Sequence, residues 1–301
     1  MLAESERIAR MTPPAGRLDM VLDTDTFNEV DDQFALSYCF LSPDRLNVQA
    51  VYAAPFFNEN SSGPEDGMEK SYGEILKLLG MLGKDPKGLA FRGSRSYLPD
   101  GRTPVDSPAA RDLVRRAMAR PDGDPLYVAA IGAITNVASA LLMQPAIADR
   151  IVIVWLGGHA TSYPHAREFN LIQDVPAARV VLDSGAPMIL IPCLGAASHM
   201  LTTLSELESC IGGQNALCDA LIDPVRRCSQ DHFAYARVIW DAAVPAWLIH
   251  PDWVPTKLIP SPLLTDDGHW ARDDRRPLIR EAYFADRNAI FRDLFQKLAR
   301  A

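Results

Sequence analysis

The chain has 301 residues, 48% of them hydrophobic and 23% charged, with a formal net charge of −8. That balance belongs to a folded globular protein and excludes a disordered one. The acidic excess argues against a nucleic-acid partner, which would call for a basic face. Five cysteines (Cys39, Cys193, Cys210, Cys218, Cys228) form no CxxC pair and read as thiols of a reducing compartment. No run reaches about 18 uninterrupted apolar residues, so no membrane partner is expected and the location expected is cytoplasmic.

In chain order, residues 1–17 mix charges with Pro and Gly and read as a flexible leader ahead of a single domain spanning 18–301. LDMVLDT (18–24) has the continuous apolar character of a buried strand, and Asp31 to Leu41 places Phe34, Ala35, Tyr38 and Leu41 on one helical face. A strand is expected at 48–54, a long polar connection at 55–67, and an amphipathic helix at 68–82. A short strand at 89–93 precedes a helix from Ser107 to Ala119, where Ser-Pro marks the start.

The alternation then becomes regular. PLYVAAIG (125–132) runs into TNVASALL (135–142), IVIVWLGG (151–158) into a loop and a helix from Asp174 to Leu182, and PMILIPCLG (187–195) is another apolar strand. The last third reads as helices at Leu204–Ile211 and Ala216–Leu221, a long helix from Arg227 to Ile249, a β-hairpin over 257–278 and a terminal helix from Ala285 to Leu298. Apolar strands alternating with helices imply an α/β, Rossmann-like single domain with a mostly parallel central sheet flanked by helices. Such sheets bind ligands at the carboxyl ends of their strands.

Four stretches carry candidate chemistry. VLDTDTFNEVDD (21–32) delivers Asp23, Asp25, Glu29, Asp31 and Asp32 into one short turn. Carboxylates this close repel one another, and a cation or a hydroxyl-rich ligand would relieve that. At Ile131 to Asn136 a strand ends in Gly and a helix begins with Thr, which aims backbone carbonyls into a crevice. Glu168 and Asn170, two apart, would share one side of an extended segment and bind adjacent hydroxyls. Asp241 sits inside an apolar helical run, where it needs either Arg237 or a cation as partner.

Taken in order, these motifs resemble the inosine–uridine preferring nucleoside hydrolase family. Asp23, Asp25, Asp31 and Asp32 match its DxDPGxDD with two extra residues in the turn; Gly132 to Asn136 match GxxTN; Gly157-Gly158 match a GG turn; Glu168-Phe169-Asn170 match EFN; Asp241 matches a late aspartate. The resemblance implies calcium-dependent hydrolysis of the N-glycosidic bond of a ribonucleoside, releasing base and ribose by attack of a metal-bound water activated by Asp25. It implies calcium ligands in Asp25, Asp32, Asp241 and the Ile131 carbonyl, and ribose contacts from Asp31, Glu168 and Asn170. Asn28 and Asn58 are assigned to the substrate as replacements within altered loops, Asp23 braces the turn, and a homodimer or homotetramer is expected.

The sequence departs from the family on the leaving-group side. Where the family often has a histidine before the late aspartate, this chain has Trp240, which cannot be a general acid. His232 and Tyr235, about two turns earlier on the same expected helix, and His159 after the GG turn are the other groups able to reach a base. Two rival readings stand beside the hydrolase: a haloacid-dehalogenase-like phosphatase, from LDTDT, and a non-catalytic calcium- or nucleoside-binding protein.

Overall fold

The computed structural model describes residues 2–301. Its centre is an eight-stranded sheet built from β1 (Leu18–Thr24), β2 (Leu46–Ala53), β3 (Ala90–Arg92), β4 (Leu126–Ala130), β5 (Ile151–Leu156), β6 (Met188–Ile191), β7 (Thr256–Pro260) and β8 (Leu278–Ala282). The spatial order is β3-β2-β1-β4-β5-β6-β8-β7. All neighbours pair in parallel except β7, which runs antiparallel to β8 at the edge.

The apolar runs explain the burial. β4 and β5 are buried at every position because helices cover both faces. One face carries a core that includes Phe34, Leu36, Trp247 and Phe291; the other packs Leu113, Val137, Trp155 and Val181. Strand order reverses between β1 and β4, and parallel sheets open a crevice at such a point. The acidic turn leaves β1 there, and the Gly132 turn leaves β4.

Helix starts follow local chemistry. Ser107 caps Pro108–Met118 by accepting from the Ala110 amide at 3.1 Å, and Asp174 caps Val175–Asp183 by accepting from Ala177 at 3.0 Å. The expected hairpin is present as the β7–β8 pair, with Leu263–Leu264 and Trp270–Ala271 forming a small ribbon inside it.

Two expectations are corrected. The leader is not a loose segment: Glu4–Arg10 is a helix whose Arg7 is buried, followed by Met11 at 1% exposure. It is tied down by the Leu2 amide on Asp149 Oδ1 at 3.0 Å and by Arg10 on the Asp149 carbonyl at 2.5 Å. The long helix from Arg227 to Ile249 is also absent. Ala216–Arg227 is helical, Arg237–Val238 pairs with Leu201–Thr202, Trp240–Ala242 is a 3-10 turn, and only Ala243–Ile249 resumes α-helix. Side chains break it: Ser229 bonds the Asp231 carbonyl at 2.7 Å and Asp231 accepts from the Phe233 amide at 2.8 Å, in place of helical partners. Among the described residues no helix is long and apolar enough to cross a membrane.

Candidate active site

β1 ends at Thr24, and the chain turns at once, with the Asn28 amide donating to the Asp25 carbonyl at 2.7 Å. Asp31 and Asp32 then form the first turn of the helix Asp31–Phe40, where the helix dipole favours negative charge. Thr24 Oγ1 donates to Asp32, and Gln33 Nε2 reaches the Thr26 carbonyl at 3.1 Å, so the turn is pinned from both ends. Asp241 arrives from the 3-10 turn on the opposite side. Asp31, Asp32 and Asp241 each place a carboxylate oxygen within 4.8 Å of the others.

These groups are almost completely buried, and burial raises their proton affinity. Asp25 and Asp241 are pushed well above the ordinary carboxylate range by desolvation and then by the surrounding aspartates. Desolvation and then Glu29 do the same to Asp31, while Asp32 is pushed up to about 6 by burial, with the Thr24 hydroxyl opposing. Both Asp25 oxygens are buried without a hydrogen-bond partner among the described residues. Orphaned buried carboxylates facing a cluster of hard oxygen donors fit a hard divalent cation.

Backbone approach fixes Asp25. A Cβ on Gly132 would stand 3.1 Å from Asp25 Cγ and 3.2 Å from its amide nitrogen, so any side chain there would press on Asp25. Trp155 Nε1 donates to the Gly132 carbonyl at 3.2 Å. Asp23 lies within β1, where Asn136 Nδ2 donates to it at 2.8 Å and also contacts the Ala53 carbonyl at 3.2 Å. Burial raises the Asp23 carboxyl to about 7, with the Asn136 bond opposing.

The facing wall comes from β5 and β6. Gly158 has φ +69° and its amide donates to Glu168 Oε2 at 2.7 Å. The Asn170 and Leu171 amides donate to the same carboxylate at 2.9 and 3.1 Å. Asn170 in turn gives its Nδ2 to the Leu156 carbonyl at 3.1 Å. Between the aspartates and this wall lies a cavity of about 280 Å³, bounded also by Ile131, Asn28, Glu29, His159, Cys193 and Trp240.

A family model for inosine-uridine preferring nucleoside hydrolase matches residues 20–280. The chain belongs to that family. Its fold and enzyme class follow: this nucleoside hydrolase acts on N-glycosyl bonds of ribonucleosides. It is 27% identical over 176 residues to the pyrimidine-specific ribonucleoside hydrolase RihB of Escherichia coli O1:K1. That match covers 52% of this chain and 56% of that protein, little more than half of either. Among solved structures, the inosine-guanosine nucleoside hydrolase superposes with a TM-score of 0.75 at 18% identity, covering 94% of this chain and 98% of that one. The purine-preferring ribonucleoside hydrolase from Gardnerella vaginalis gives 0.70 at 20% identity, covering 93% and 98%.

In the nucleoside hydrolase cavity the structure brings together Asp25, Asn28, Asp31, Asp32, Ile131, Glu168, Asn170, Trp240 and Asp241. The structure adds detail to three placements. Asp31, expected to contact the sugar, lies in the close carboxylate trio with Asp32 and Asp241, and Asp25 lines the same cavity. Glu168 is itself extended but caps the short helix Phe169–Gln173, which takes in Asn170, and its carboxylate is engaged by three amides. Arg237 pairs with Glu29 and not with Asp241.

Two residues lie outside the cavity lining. Asn58 Nδ2 donates to Asn28 Oδ1 at 2.5 Å, so it supports the expanded turn from behind. His232 sits on the irregular segment after Arg227, its Nε2 3.1 Å from the Arg226 carbonyl; without the expected helix it loses its register with Asp241. Cys193 and Phe169 were not singled out as cavity residues, and only the position of Cys193 just past an apolar strand could have signalled it.

Proposed function

We propose that calcium is the resident ion of this site and that Asp25 is the general base. The observation that carries this is the pair of buried, unpartnered Asp25 oxygens beside Asp31, Asp32 and Asp241. Asp32, Asp241, Asp25 and the Ile131 carbonyl would hold the ion, whose preference for six to eight oxygens leaves room for Asp31. When bound, calcium orients the ribose diol and makes an adjacent water easier to deprotonate.

The protein's own groups supply the rest. Asp25 takes the proton of the attacking water, its buried carboxylate oxygens being free of any other hydrogen-bond partner among the described residues. Asn28 and Asn170, each fixed by a neighbour, orient the sugar, and Glu168 adds negative charge opposite the aspartates. That field stabilises the cationic character that develops on the ribose as the glycosidic bond breaks. A phosphatase would need Asp23 as nucleophile, yet Asp23 is buried against Asn136.

The relatives named above act on pyrimidine nucleosides in one case and on purine nucleosides in others, so the base preference is left to experiment. Purified protein supplied with calcium is expected to release reducing sugar from at least one ribonucleoside and to stop when the ion is chelated. Calcium binding with no sugar released from any riboside would support the non-catalytic binding reading. A cytoplasmic location accords with the free thiols, and a homodimer or homotetramer is the assembly proposed.

A further inference from the structure

The charge of the cavity restricts what it can accept. Six carboxylates line it, those of Asp25, Glu29, Asp31, Asp32, Glu168 and Asp241, with no lysine or arginine among the described lining residues. Arg237 reaches Glu29 from a neighbouring groove, so a divalent ion and Arg237 together would offset half of that negative charge. The field that remains repels anions and concentrates cations. Half-buried Trp240 contributes an indole to the same lining, the best aromatic face for a delocalised cation.

The leaving group sets a second constraint. A neutral nucleobase departs as an anion unless a proton reaches it, and this cavity is poorly equipped to deliver one. Trp240 has no acid to offer. His159 Nδ1 lies 3.5 Å from the Leu194 amide as an acceptor, and burial and then His165 depress its basicity. His232 is outside the lining. A ring that is already cationic needs no proton. Its C1′–N bond breaks with the electron pair returning to the ring nitrogen, which becomes neutral, while the water oxygen bonds C1′ and its proton passes to Asp25 and then to solvent.

We propose that this site selects ribosides whose leaving group is a cationic heteroaromatic ring, a pyridinium or an N-alkylated purine, with Glu29 recognising the charge and Trp240 the ring face. The inference rests on the ribosyl-hydrolase reading above. Glu29 is brought to the rim by the two extra residues of the first turn, which gives that expansion a chemical role.

The test uses pairs of similar shape and different charge, adenosine against 7-methyladenosine and uridine against nicotinamide riboside. Cationic ribosides are intrinsically more labile, so the informative quantity is the kcat/KM ratio, cation over neutral, compared between wild type, Glu29→Gln and Trp240→Leu. That ratio is expected to fall about tenfold in each variant. Glu29 has a 41% exposed side chain, so Glu29→Gln keeps the fold even where Trp240→Leu does not. An unchanged ratio in Glu29→Gln, or a wild type that hydrolyses only neutral nucleosides, overturns the proposal while the hydrolase reading survives. No ribose from any of the four would overturn both.

Discussion

The two ends of the cavity are built differently. The acidic floor hangs from β1 and β4, whose residues are pinned by sheet hydrogen bonds and by the bare Gly132 turn, and its carboxylates sit within one or two residues of regular structure. The rim is carried by irregular chain: the Thr26–Val30 turn braced by Asn58 and Asn60, and the loop after Gly158. A rigid floor holds the groups that must meet with sub-ångström accuracy, while a loop-built rim can change its substrate without disturbing them. This contrast teaches that reaction and selectivity are housed in separable parts of one pocket.

Mutating the floor is expected to cost most. Asp32→Ala and Asp241→Ala should each abolish calcium binding in calorimetry, and retention of wild-type affinity in either would break the assignment of the floor to a metal. Asp25→Asn should lower kcat by about 10²–10⁴ while leaving the fold intact by circular dichroism. Next comes Gly132→Val, whose Cβ would start 3.1 Å from Asp25 Cγ. Overpacking there should destabilise the protein by about 1–3 kcal/mol in denaturant titration and reduce kcat more than KM. Wild-type behaviour would show that the floor is less rigid than the contrast requires.

Changes at the rim should be smaller. Asn58→Ala removes one support of Asn28 and should raise KM a few-fold with kcat nearly unchanged, a loss of about 1 kcal/mol. The smallest effect is a pH dependence at His159. Its proton affinity is depressed in the folded state, so its contribution to stability is present above the ordinary histidine pKa and is lost as pH falls through the lower folded value. Thermal unfolding from pH 7 to 5 should therefore show a slightly shallower acid loss in His159→Phe than in wild type, and identical curves would remove His159 from the rim's support.

Much of the floor was legible in the chain because its chemistry is local. Asp25, Asp31 and Asp32 follow one apolar strand, and Gly132 to Asn136 follow another, so strand ends alone point them to one crevice. The rim was less legible. Glu168 and Asn170 were readable as a polar pair, but Glu is an uncommon helix cap, and nothing local announces that three amides converge on its carboxylate. The segment after Arg227 read as helix from its apolar spacing, yet Ser229 and Asp231 drew the backbone away through bonds that propensity does not count.

By itself the sequence determined the strand-helix alternation, the parallel sheet and the identity of the acidic groups, because periodicity and turn residues act over a few positions. Only the tertiary structure decided which carboxylates share a centre, that Arg237 answers Glu29 and not Asp241, and that Asn58 stands behind the cavity wall. Those outcomes depend on packing between segments up to about two hundred positions apart, where small rotations of whole elements choose one partner over another and no residue spacing records the choice.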